Sequence, residues 1–146
     1  MKFIFLTDQF YSDYSHCPEI EQKKERPYTQ VCLEYNGIQF AIPFRSNIKH
    51  NHVYWTDKKN NCGLDFSKAV IIENSKYIDT TGKPHIRPKE FKALLGKEHM
   101  VVRGLLKYIK EYLKAKQMPN KTENIHLLKY STLQYFEKHI SSALTS

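Results

Sequence analysis

The dipeptide Asn36-Gly37 lies between two apolar runs, VCLEY before it and IQFAIP after it. A two-residue turn needs positive φ at both central positions, which asparagine and glycine tolerate, so this stretch predicts a β-hairpin of fixed register. The register pairs Tyr35 with Ile38, Leu33 with Phe40 and Val31 with Ile42 on one apolar side. Glu34 and Gln39 fall on the other side, as expected for a half-buried antiparallel pair.

Around this hairpin the chain reads as follows. Residues 2–7 are rich in β-formers and predict a first strand, partly buried on both faces. Asp8 is placed to cap a short helical turn carrying Phe10 and Tyr11. The charge cluster at 19–26 reads as a solvated loop. Residues 44–65 read as one long loop, the kind that in a compact domain is usually functional or mobile. Residues 68–73 predict a buried strand and 76–78 another.

The period then changes to a helical one. Pro88 opens a helix that Gly96 closes. Over 97–116, Val102, Leu105, Leu106, Ile109, Tyr112 and Leu113 share one face. A last helix follows Pro119, with Asn120 and Glu123 at capping-box spacing and Ile125, Leu128, Thr132, Phe136 and Ile140 turned inward. With 146 residues, 40% of them hydrophobic, the chain is expected to form one domain. Its first part, 1–86, is mostly sheet and active-site loop, and 87–140 is helical and basic. The expected fold class is α+β, a small twisted sheet or partly closed barrel with helices added mainly at the C-terminal side.

The net charge of +8 favours polyanionic partners, nucleic acid first. The excess is local: residues 87–146 carry 12 Lys and Arg against 5 acidic residues, whereas 1–86 carry 11 against 10. Arg103, Lys107, Lys110 and Lys114 follow one another along a single face of the long helix. That stripe fits either a solvated face or an RNA-binding one. Cys17, Cys32 and Cys62 form no CxxC pair, which suits a reducing compartment. The apolar run at the N-terminus is too short for a signal-peptide core or a membrane span, so a soluble cytoplasmic protein is expected.

The densest chemistry follows Pro43: Arg45, Ser46, Asn47, Lys49, His50 and His52. Cleaving RNA without a metal requires a base near the ribose 2′-oxygen, an acid near the leaving 5′-oxygen, and charge or donors around the phosphoryl oxygens. Arg45 and Lys49 offer the charge, Ser46 and Asn47 neutral hydrogen bonds, and His50 or His52 proton transfer near neutral pH. The same composition also suits an ordinary polar turn. No acidic residue or cysteine stands near the two histidines in sequence to complete a metal site, and no cofactor motif is present. His16, His85, His99, His126 and His139 are scattered and read as structural or superficial. Tyr11, Tyr28, Tyr54 and Trp55 are aromatics of the kind that stack on single-stranded bases, or else fill a core.

At MKF, Tyr11, AIPFRSNIKH (41–50) and GLDFSKAVII (63–72), the chain resembles the ribonuclease toxins of type III toxin-antitoxin modules, the ToxN, AbiQ and TenpN group, and TenpN most of all. The resemblance covers about the first 78 residues in pattern and the remainder only in helix content. It implies a strongly curved SH3-like sheet of the MazF and Kid kind, and metal-free endoribonuclease activity leaving 2′,3′-cyclic phosphate ends. It further implies inhibition by a small repeat antitoxin RNA, often a pseudoknot, in a protein–RNA hetero-oligomer, with the protein alone monomeric. A role in phage defence by abortive infection also follows.

Residue by residue, the resemblance puts Ser46 at the family's active-site serine and Tyr11 at an active-site tyrosine, with Tyr28 matching a second one. Arg45 stands where ToxN has a threonine, and Lys49 lies one position later than the expected lysine. The lysine on the strand before the hairpin has no counterpart at 30–32, which leaves Arg45 or His50 to take its role. Ser46, Lys49, Arg45, Tyr11 and His50 are thus the candidate catalytic residues. Tyr28, Asn47, His52, Trp55, Arg103, Lys107, Lys110 and Lys114 are the candidate RNA contacts.

Overall fold

The computed structural model describes residues 1–22 and 28–143. Its strands are β1 (Lys2–Ile4), β2 (Gln30–Tyr35), β3 (Ile38–Arg45), β4 (Val53–Asp57), β5 (Cys62–Asp65) and β6 (Val70–Ile71). Its helices are α1 (Asp8–Asp13), α2 (Pro88–Leu94), α3 (Glu98–Gln117), α4 (Thr122–Tyr130) and α5 (Glu137–Ala143). The class is α+β, with an antiparallel sheet in the order β1-β2-β3-β5-β4 and β6 attached to β3. The sheet does not close, since β1 and β4 stand at its two ends.

The β2–β3 hairpin has the expected register, Tyr35 opposite Ile38, Leu33 opposite Phe40 and Val31 opposite Ile42. Asn36 and Gly37 both take positive φ, 49° and 76°. β3 is the spine. Along its first part it pairs with β2 and, through Phe40 and Ala41, with β6; at Phe44 and Arg45 it pairs with β5. Its last residue, Arg45, is therefore delivered to the junction of the sheet with the loop that follows.

Residues 44–65 are not one loop. They contain the β4–β5 hairpin, whose turn passes through a 3-10 segment, Lys58–Asn60, to Asn61 in the left-handed region (φ 54°). Gly63 permits this pairing, because a Cβ there would stand 2.5 Å from the Tyr54 carbonyl oxygen. The irregular connection shrinks to 46–52. The strand expected at 68–73 is reduced to β6 because a 3-10 turn at Phe66–Lys68 takes up the preceding residues. The segment at 76–78 ends a 3-10 turn, Ser75–Tyr77, and only Ile78 makes a bridge, to Leu6. The first strand stops at Ile4, and Thr7 rather than Asp8 caps α1 by accepting from the Phe10 N–H. Of the charge cluster at 19–26, residues 23–27 lie outside the described residues, and 19–22 form no helix or strand.

On the helical side, Pro88 opens α2, and Gly96 lies just beyond it with φ 72°. The inward face of α3 is rotated from the expected one. Val101, Tyr108 and Ala115 are buried with Leu105, Ile109 and Tyr112, while Val102, Leu106 and Leu113 are half-buried. Hydrogen bonds fix this rotation, Tyr108 donating to Ser131 Oγ (2.6 Å) and Tyr112 to Glu137 Oε1 (2.7 Å).

The last helix is broken in two. Ser131 leaves helical geometry and caps a 3-10 turn, Thr132–Tyr135, while the Thr132 hydroxyl is bonded to the Ala69 carbonyl and lies 3.2 Å from that of Ser67. The capping box does not form, since Lys121 occupies the cap position, and Ile125 is half exposed. Among the described residues no helix is long and apolar enough to cross a membrane.

Gly63→Ala places a methyl group against fixed backbone. It should destabilise the fold by about 2 kcal/mol or more, measured as a lowered urea midpoint with an unchanged slope.

Candidate functional site

Asp65, the last residue of β5, is fully buried, with 0% of its surface exposed. A buried carboxylate is costly unless paired and hydrogen-bonded, and this one is saturated. Its Oδ2 accepts from Arg45 Nη1 at 2.7 Å, across the β3–β5 pair. Its Oδ1 accepts from the Ser67 backbone N–H (2.9 Å) and hydroxyl (2.6 Å), capping the 3-10 turn. His50 Nε2 lies 3.2 Å from the same oxygen and 3.3 Å from Ser67 Oγ. The His52 backbone N–H donates to His50 Nδ1 at 3.0 Å. This pattern assigns the neutral His50 ring its proton at Nε2, facing Asp65. Burial raises the Asp65 pKa, but the bonds from His50, Ser67 and Arg45 outweigh it and hold the carboxyl below its ordinary range. For Arg45 burial works against the charge, and Asp65 together with Glu21 more than restores it.

His52 extends the array outward. Its ring is 5.6 Å from that of His50 and 5.1 Å from that of Tyr108 on α3, with Nδ1 3.5 Å from Glu111 Oε2. Burial lowers its pKa below the ordinary 6.5; Glu111 opposes the shift, while His50 and Lys107 favour it. The shift favours the neutral ring, the form able to accept a proton.

It opens on a cleft of about 290 Å³ with two walls, Asn51 and His52 from the loop with Val53 at the start of β4, and Gly104, Lys107, Tyr108 and Glu111 from α3. Phe66 also lines the cleft, and at Gly104 a Cβ would stand 2.8 Å from its ring, so the helix can come this close only with glycine there. Lys107 and Glu111 also line a groove of about 560 Å³ along α3, with His99, Arg103, Lys110 and Lys114 at its sides and Val102 and Leu106 beneath. Arg103, Lys107, Lys110 and Lys114 are all exposed. None of the four makes an ion pair among the described residues.

The structure thus gathers Arg45, His50 and His52 into one array and places Lys107 beside it, with Arg103, Lys110 and Lys114 along the adjoining groove. Ser46, Asn47 and Lys49 are exposed on the 46–52 loop, which turns at Asn47 (φ 56°) and is pinned by buried Ile48, whose N–H donates to the Asn61 carbonyl at 3.1 Å. Tyr11 is buried in the core. Among the described residues, its hydroxyl and the nearby Gln30 Oε1 each lack a hydrogen-bond partner of ordinary geometry. Burial and then the Tyr28 phenol push the Tyr11 pKa up to about 12, the Gln30 amide offsetting part of this. Tyr28, half-buried, neighbours both Tyr11 and Arg45. Trp55 sits opposite Gly63 in the β4–β5 ladder and does not line the cleft.

Sequence reasoning missed Asp65, Ser67, Glu111, Tyr108 and Glu21 as site residues. A signal existed for the first two, since an aspartate between Leu64 and Phe66 has Ser67 at the Asx-turn spacing. No local signal marks Glu111 or Glu21. Among the described residues, no three His, Cys, Asp or Glu side chains form a group suited to a metal ion. No family model, no curated protein and no solved structure matches this chain.

The lowered Asp65 value has a defined pH signature. Its contribution to stability is complete above the ordinary 3.8 and is lost as the pH falls through the lower folded value. Asp65→Asn should cost about 3 kcal/mol at neutral pH. In urea titrations from pH 7 to pH 2 the gap from wild type should close at the acid end, and a gap independent of pH would show that the carboxylate charge is not what holds the site.

Proposed function

We propose that this protein is a metal-independent endoribonuclease toxin that cleaves RNA by 2′-hydroxyl transesterification and is neutralised by a small repeat antitoxin RNA, in a module directed against phage. The carrying observation is a half-buried histidine, His52, whose pKa burial lowers and which lines a cleft that shares Lys107 and Glu111 with a groove of cations making no ion pair among the described residues. Neutral imidazole is the form a general base needs, and unpaired cations are what a phosphate backbone attracts.

The sequence motifs lend a second support. The two longest stretches of the family resemblance, 41–50 and 63–72, meet in space, Arg45 on Asp65 and His50 beside Ser67. A MazF- or Kid-like curvature of the sheet belongs to the same proposal.

In this reading His52 takes the proton of the ribose 2′-hydroxyl while the 2′-oxygen forms its bond to phosphorus. The bond from phosphorus to the 5′-oxygen breaks on the opposite side, giving a 2′,3′-cyclic phosphate. The leaving oxygen takes a proton from an acid on the other wall of the cleft, where Lys107 stands. Glu111 orients the His52 ring and stabilises the imidazolium that forms. Ser46, Asn47 and Lys49, exposed at the loop surface, contact the flanking strand, and the Arg103–Lys114 side of α3 grips target or antitoxin RNA.

A second reading, a non-catalytic RNA-binding module, draws on the fact that both ring nitrogens of His50 and the inner face of Arg45 are already engaged within the protein.

Incubation with mixed RNA in excess EDTA separates the two. Wild type should yield cyclic phosphate ends, and His52→Ala should cut the rate by about a hundredfold or more. Ser46→Ala and Lys49→Ala should also lose activity while remaining folded. The acidic limb of the pH–rate profile should fall below 6.5. Tight binding without product would establish the binding module instead. Neutralising Arg103, Lys107, Lys110 and Lys114 together should reduce the slope of log affinity against log salt by about 3, and an unchanged slope would show the stripe to be merely solvated.

A further inference from the structure

The Arg45 guanidinium has two different carboxylate partners. Nη1 is spent on Asp65, which is fully buried and held by Ser67 and His50 as well. Nη2 is met at 2.9 Å by Glu21 Oε1, in a pair with about a quarter of each side chain exposed. One positive charge thus serves two negative ones, and only the inner pair is built in. Glu21 comes from the segment after α1, which forms no helix or strand; it is anchored at buried Ile20 and by the Gln22 amide on the Ile20 and Tyr14 carbonyls. Nothing besides Arg45 pairs with Glu21 among the described residues.

We propose that the outer face of Arg45 is a phosphate-binding position which the chain occupies with its own Glu21 until a nucleic acid strand displaces it. This inference deepens the RNA reading and rests on it for the identity of the ligand.

The chemistry of the exchange is balanced. A phosphodiester carries one negative charge, as does the Glu21 carboxylate, and both present oxygens to the guanidinium fork. A part-exposed ion pair of this kind contributes little to stability, so its loss is readily offset. A strand already tethered along the α3 cations reaches Arg45 at a high effective concentration. The inner Asp65 bond keeps the guanidinium oriented throughout. Glu21 therefore lowers the affinity for stray anions and leaves a multiply tethered polyanion as the ligand able to take the position.

The test measures binding of inorganic pyrophosphate by calorimetry, and of a short single-stranded oligonucleotide blocked against cleavage by 2′-deoxy substitution, by fluorescence anisotropy. Glu21→Gln should tighten both by about two- to fivefold. Glu21→Asp, which keeps the charge but shortens the reach to Nη2, should tighten both by part of that amount. Glu123→Gln changes the net charge equally, at an exposed α4 residue paired with Lys121, and should leave both affinities near wild type. Equal effects of Glu21→Gln and Glu123→Gln, an Asp variant indistinguishable from wild type, or no saturable pyrophosphate binding to Glu21→Gln would each overturn the proposal. If RNA is not cleaved yet Glu21→Gln still gains pyrophosphate affinity, the phosphate position stands and the ribonuclease reading falls.

Discussion

A carboxylate taken wholly out of water must be met by donors on every side, and Asp65 draws those donors from separate parts of the chain. Arg45 comes from the end of β3, His50 from the connection after it, and Ser67 from the turn that Asp65 itself caps. The 46–52 loop therefore has one place to lie, even though its own residues are mostly polar and exposed. The same turn carries the helical layer. Phe66 packs against Gly104 of α3, and Thr132 reaches back to the carbonyls of Ser67 and Ala69. Satisfying one buried charge thus positions the sheet, the loop and the C-terminal helices relative to one another.

The charges divide into two groups. Asp65, Glu21 and Glu111 face the array around Arg45 and the two histidines, where they set orientation and proton affinity. Arg103, Lys107, Lys110 and Lys114 of α3 make no ion pair among the described residues and line the groove beside the array, whereas Lys116 on the same helix pairs with Glu137. The two surfaces adjoin at Lys107 and Glu111, and the proposed reading assigns attraction of a polyanion to one and chemistry on it to the other. Under the proposed reading, affinity then depends on salt through the groove, while rate depends on pH through His52.

Much of the fold was legible because its signals are local. Asn36-Gly37 dictates the turn and hence the register, and Pro88 and Gly96 bracket α2. The β4–β5 hairpin was hidden, since its turn has no two-residue signature and the role of Gly63 is visible only when Tyr54 lies against it. The break after Tyr130 was hidden too. The apolar spacing from Leu128 to Ile140 suits an unbroken helix, and it is the bonds of Ser131 and Thr132 to distant partners that interrupt it.

The site divides along the same line. The sequence by itself determined that Arg45, His50 and His52 would leave a strand together and that four cations would share one face of a helix, because strand and helix periods act over a few residues. Only the tertiary structure decided which carboxylate meets which of them. Arg45 and Asp65 stand twenty positions apart, and Glu21 and Glu111 are contributed by still more distant segments. Their meeting is set by the pairing of β3 with β5 and by the approach of α3 to Phe66, neither of which a local pattern encodes. Burial, which lowers the His52 pKa and makes the Asp65 network obligatory, exists only once those layers have closed.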